Sequence, residues 1–169
     1  MKKIETNISY SGISLDEVKT QVRVTHDFDD SFLSGLCNTS YHVVEDYINA
    51  HVAMTDVEEV ATSFCGQYYE VVEANILSGF TITVSGTPVE YQVLEQDKYS
   101  TCLKLSSSLS DVTLNVAYTA GFASLPLPIK QAILVKTHDL YEDRSGYNTG
   151  LQRTGLFEKL LNKTVSKYS

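Results

Sequence analysis

The run VAYTAGFASLPLPIKQAILVKTHDLYEDRSG, from Val116 to Gly146, constrains the fold most tightly, because it joins a strand end, a stiff turn and a short amphipathic helix. Gly121 follows β-branched and aromatic residues and can supply a positive φ where the strand ends. Pro126 keeps Leu125 out of the helical region, and Pro128 suits a helix start, where its missing N–H leaves no donor unpaired. Ile129, Ala132, Ile133, Leu140 and Tyr141 then recur at helical spacing and predict one buried stripe. Lys130, Lys136, Asp139, Glu142 and Asp143 fall mostly on the other side, and Gly146 marks a stop.

A chain of 169 residues with 43% hydrophobic content is expected to form one domain, 1–169, with a substantial core. No apolar run approaches the roughly 20 residues needed to cross a bilayer, and the polar start lacks a signal-peptide core. The expectation is a soluble protein with no membrane partner, intracellular when made. Cys37, Cys65 and Cys102 are widely spaced, suggest neither a zinc site nor a disulfide framework, and read as small buried apolar residues. The net charge is −8 and uneven: four basic residues against eight acidic over 1–53, two against nine over 54–120, and seven against four over 121–169. Duplex affinity comes mainly from Lys and Arg neutralising phosphates, so an acidic chain is poorly suited to gripping DNA. Most of its carboxylates read as a solubilising surface.

Three zones follow. Residues 1–53 read as helical. Ser14 and Glu17 form a capping box before a short helix ending near Arg23, and Asp29-Asp30 opens a longer one carrying Phe32, Leu33, Leu36, Cys37, Tyr41, Val44, Tyr47, Ile48 and Val52. Residues 54–120 read as β-rich, with strands at 68–77, 80–84, 89–93 and 112–118 and another candidate at 98–105. Ser106-Ser107-Ser108 with Ser110-Asp111 reads as a loop. Residues 121–169 hold the helix above, a polar loop, and a last amphipathic segment with Leu156, Phe157, Leu160, Leu161 and Val165 on one side. Whether that segment docks on its own domain or on a partner is open. The fold class is α+β: an N-terminal helical pair, a central antiparallel β region and C-terminal helices around a mainly helical core.

The succession Tyr118-Thr119-Ala120-Gly121, Leu125-Pro126 with Pro128, Ile129 to Leu134, and Leu140 to Arg144 resembles the C-terminal signature of head-tail connector proteins of tailed bacteriophages. Residues Ile13 to Lys19, opening a short helix before a longer one, resemble the start of the same family. The family often carries a tryptophan early in its β region, whereas this chain has none.

Catalytic patterns are missing from the sequence. His138 with Glu142 and His42 with Asp46 have i,i+4 spacing, but no third ligand pattern accompanies either pair, and no metal or other cofactor is expected. His26 beside Asp27 and Asp29 reads as a solvated loop, and Glu58-Glu59 as ordinary surface acids. No G-x-S-x-G elbow, Walker loop or dinucleotide fingerprint occurs, and the chain reads as a non-enzyme.

The resemblance implies a virion neck protein. Such proteins form rings matching the portal's twelvefold symmetry, join the DNA-filled capsid to the tail, meet tail or stopper proteins below, and let genomic DNA pass without sequence-specific contact. The basic C-terminal zone, with Arg144, Arg153, Leu156, Phe157, Lys159, Leu160, Lys163 and Lys167, is the candidate portal-docking surface. Deleting residues 150 to 169 is expected to leave a folded monomer unable to join the portal. Alternatives are a tail-completion or stopper protein of the same particle, or a small acidic ligand-binding or hydrolytic α+β domain.

Overall fold

The computed structural model describes residues 1–73, 75–96, 100–143 and 155–168. These divide into two compact units, residues 1–9 with 53–123 and residues 10–52 with 124–169.

The first unit is an antiparallel sheet. Strand β1 (Lys2–Ser9) pairs with β2 (Met54–Val71), and β2 pairs with β6 (Thr101–Ala120) from Thr55 opposite Ala120 to Val71 opposite Thr101. Strand β3 (Thr81–Val84) lies on the other side of β6 at residues 114–117 and carries β4 (Thr87–Pro88), while β5 (Tyr91–Gln96) pairs with the early part of β6. The two long strands, of 18 and 20 residues, do not run straight. Register shifts between Ala61 and Tyr68 coincide with left-handed backbone at Ser63 and Asp111 and a positive φ at Gly66. Bulges of this kind bend a ribbon and sharpen its twist. The bend folds the ribbon onto itself, so that Tyr69 and Leu103 from one half share a buried cluster with Val57, Leu114, Val116 and Tyr118 from the other.

That cluster overturns the expectation of a mainly helical core. The sheet owns a core as complete as the helical one, although the chain remains α+β. Two features of the sequence conceal it. A strand with one buried face contributes only alternate residues, and the serine run at the bend interrupts even that alternation. Ser106 to Ser108, Ser110 and Asp111, expected as a loop, lie inside β6 and face solvent at the bend. Strand β1 falls in the zone expected to be helical. Its sequence KKIETNIS has no apolar alternation, so its conformation comes from ladder pairing with β2.

The second unit packs four helices among the described residues: α1 (Leu15–Val22), α2 (Asp30–Ile48), α3 (Leu127–Glu142) and α4 (Leu156–Tyr168). The capping box forms at Ser14 and Glu17, and Arg23 closes α1 in the left-handed conformation. The Lys130 ammonium, 2.6 Å from Glu17, ties α3 to α1, and with the Ser14 backbone N–H it holds the Glu17 carboxyl below its usual range. Asp29 precedes α2 without capping it through its side chain, and accepts instead from the Tyr141 hydroxyl at 2.9 Å. Helix α2 turns Leu33, Cys37, Tyr41, Val44 and Ile48 inward, whereas Phe32 and Tyr47 of the expected stripe stay partly exposed. Helix α3 buries Ile129, Ala132, Ile133, Leu134, Val135 and Thr137, wider than one stripe, because it has α1, α2 and α4 as neighbours. The Thr137 hydroxyl lies 3.0 Å from the Ser40 hydroxyl and 2.8 Å from the Ile133 carbonyl, so its one proton has an acceptor on either side, and Ser40 donates to the Leu36 carbonyl where α3 meets α2. Gly146, the expected stop, lies outside the described residues.

Candidate functional site

The C-terminal zone expected to dock is carried by α4. Leu161 is 0% exposed, and Phe157 lies edge-on to Tyr47 with ring centroids 5.5 Å apart and under the Lys136 ammonium. The Tyr47 hydroxyl also donates to Asn162 at 2.9 Å. Helix α4 therefore packs on α2 and α3 of its own unit. Deleting residues 150 to 169 would open that core, so such a truncation is a poor test of docking. The expected docking residues divide accordingly. Phe157 is spent on internal packing, Leu160 is half-buried, and Leu156 and Lys159 are exposed. Lys163 and Lys167 belong to α4, with side chains outside the described residues, as are Arg144 and Arg153 altogether.

The polar chemistry that sequence reading weighed is taken up by structural roles. His42 sits between the Tyr10 hydroxyl, 2.6 Å from Nε2, and the Glu45 carboxylate, 3.1 Å from Nδ1, and the same carboxylate accepts from the Val52 N–H. Asp46, its expected i,i+4 companion, is not part of this chain of contacts. Asp27 is bonded to Lys19 at 2.6 Å, which holds its carboxyl below the usual range. Cys37 is buried, but Cys65 is exposed beside the bend of the sheet, against the expectation of three buried thiols. Among the described residues no group of three or more His, Cys, Asp or Glu side chains is placed to hold a metal ion.

Sequence reading missed the most deeply buried charged side chain among the described residues. Glu59, taken as a surface acid, is 2% exposed inside the sheet unit. Its Oε1 accepts from Tyr118 at 2.7 Å and its Oε2 from Tyr69 at 2.8 Å. The available signal was positional: Thr55, Val57 and Glu59 share one face of β2, and the first two are buried. Burial first, and then the bonded Glu59 carboxylate, raise both phenols well above their ordinary value of 10.0. A phenol that keeps its proton in the fold but loses it in the unfolded chain draws the equilibrium toward unfolding once the pH exceeds the ordinary value. Stability is thus expected to be fully present below about pH 10 and to fall as the pH rises beyond it. Tyr118→Phe should make that alkaline decline less steep. Denaturant melts at stepped alkaline pH check it, and an unchanged slope would show that this phenol does not drive the loss.

The fold can now be set beside known proteins. Residues 12–81 match the family model described as phage gp6-like head-tail connector protein. Over 95% of this chain and 95% of the other, the structure superposes with TM-score 0.72 and 18% identity on a chain from the neck of an empty GTA particle computed with C6 symmetry. The fold is shared with that neck chain. A chain from the virion of a native gene transfer agent particle shares the fold with TM-score 0.73 at 16% identity, over 96% of this chain and 94% of its own. A third, from the neck of the native particle computed with C12 symmetry, gives 0.63 at 16% identity, over 95% and 94%. No curated protein matches the chain. The connector family model covers α1, α2 and β2 and ends at the start of β3, so it includes the Ile13 to Lys19 resemblance. The strand-turn-helix run that begins at Val116 lies beyond it.

Proposed function

We propose that this chain is a structural, non-enzymatic protein of the phage neck: an adaptor that forms a ring on the portal and connects the DNA-filled capsid to the tail. The observation that carries the reading is the match, over nearly the full length of both chains, to neck proteins computed with sixfold and twelvefold symmetry, together with the connector family model on residues 12–81. In a ring every subunit repeats the same contacts, so modest interfaces add up by avidity into a seal. DNA passes through the centre unread, consistent with the scarcity of Lys and Arg over residues 54–120. Tail or stopper proteins are the partners on the far side.

The portal contact is assigned to α4, with the exposed Lys159 and Leu156, and with Lys163 and Lys167 following Lys159 at i+4 spacing in the sequence. Electron microscopy of the protein mixed with the portal encoded beside it should show this chain stacked on the portal as a ring. The triple variant Lys159→Glu, Lys163→Glu, Lys167→Glu keeps Leu161 in place, so its circular dichroism should match the parent while its portal affinity falls about tenfold or more. Undiminished portal binding by that variant would remove α4 from the interface.

A further inference from the structure

Among the described residues the sheet unit has three edges, β1, β5 and the two-residue β4: β1, eight residues long, pairs only with β2, and β5, six residues long, only with β6. Alternate residues of an edge strand aim backbone N–H and C=O groups outward, and natural sheets usually blunt such edges with charge, proline or bulges. Strand β5 does the reverse with its apolar residues. In the row Tyr69, Leu103, Val93 across β2, β6 and β5, the first two are 6% and 0% exposed, but Val93 is 48% exposed. The hydrophobic interior therefore runs out to the edge and stops uncovered. A register shift between Val93 and Glu95 then leaves Leu94 52% exposed beside it.

Charge says what can cover this edge. Exposed Glu90 and Glu95 flank the apolar pair on β5, and exposed Lys2 opens β1, where Lys3 is already paired with Glu73 and Glu5 and which also presents Ile4 and Ile8. Pairing β5 with another β5 offers its carboxylate no cation, since β5 carries none, whereas β1 brings the Lys2 ammonium. Pairing β1 with β5 sets opposite charges against each other. We propose that the free edge of β5 is the subunit-subunit contact, receiving the free edge of β1 from a second copy of this chain so that the sheet continues across copies. The contact is heterologous, and in a closed ring every β1 and every β5 is used, which leaves neither edge open. This inference rests on the ring reading above and names the surface that makes it.

The test scores rings of the full-length chain by electron microscopy and light scattering, alone and on the portal, for the parent, Leu94→Lys, Glu95→Lys, Lys2→Glu and the double variant Lys2→Glu, Glu95→Lys. All the altered side chains are exposed, and circular dichroism confirms folding. The expected result is that each single variant raises the concentration needed for rings about tenfold or more, while the double variant recovers most of the loss. Single variants that form rings like the parent overturn the edge contact and leave the ring reading intact. Loss without recovery in the double variant overturns β1 as the occupant. A parent that forms no ring under either condition overturns the ring reading and this inference with it.

Discussion

Gly121→Ala should lower stability by about 4 kcal/mol or more, a larger loss than we expect from any other single methyl group added to this chain. Gly121 has φ +119°, and a Cβ there would overlap the Ala53 carbonyl oxygen and stand 2.8 Å from its carbon and 2.9 Å from Met54 Cα. None of these is the tip of a flexible side chain, so the clash can be relieved only by moving the backbone where β6 ends against the start of β2. The Gly121 N–H also donates to the Asn75 carbonyl at 2.9 Å, so a shift large enough to admit the methyl breaks that bond. Gly66 is the control. It too has a positive φ, +134°, but open space where its Cβ would stand, so Gly66→Ala carries only the conformational cost of about 1 to 2 kcal/mol. Thermal melts of the two variants should differ accordingly, with Gly121→Ala about 10 °C or more below the parent. Equal melting of the two would show that the close approach to Ala53 is not limiting.

Glu59→Ala is expected to cost about 2 to 4 kcal/mol, because two buried phenols lose their acceptor at once and a small cavity remains. Tyr69→Phe and Tyr118→Phe should each cost about 1 to 3 kcal/mol by leaving one oxygen of a buried carboxylate without its donor. The decisive variant removes the whole group. Glu59→Leu combined with both Phe substitutions leaves no polar atom of the trio unpaired, and it should lie closer to the parent than the sum of the three single losses predicts. Urea unfolding of the four variants measures this. Simple additivity would mean that the three side chains do not act as one hydrogen-bonded unit.

The local devices of this fold were legible where a few neighbouring residues decide them. Ser14 and Glu17 cap each other within one turn, Pro126 and Pro128 fix the entry to α3, and the spacing of Leu33, Cys37, Tyr41, Val44 and Ile48 marks the inward side of α2. What sequence reading missed depends on residues far apart in the chain. Ser106 to Ser108 look like a loop until β2 is laid beside them, and KKIETNIS becomes a strand only through residues 54–60. Glu59 looks like a surface acid because nothing nearby in sequence announces that Tyr69 and Tyr118 will close over it. The basic C-terminal zone was legible as composition, but its split between internal packing at Phe157 and Leu161 and outward display at Leu156 and Lys159 required the packing of α4.

Neither unit is a continuous stretch of chain, since the sheet unit takes residues 1–9 and then 53–123, and the helical unit takes residues 10–52 and then 124–169. On a ribosome this order has a direct effect. Strand β1 must wait for residues 54–60 before it has its neighbour, and the ribbon cannot be completed until Ala120 has been made. Meanwhile α1 and α2 are already out, with the buried face of α2 lacking the α3 residues that will cover it. Both units thus become foldable only after Ala120 has been made and within a few dozen residues of each other, which favours near-simultaneous folding of the two over folding of one well before the other.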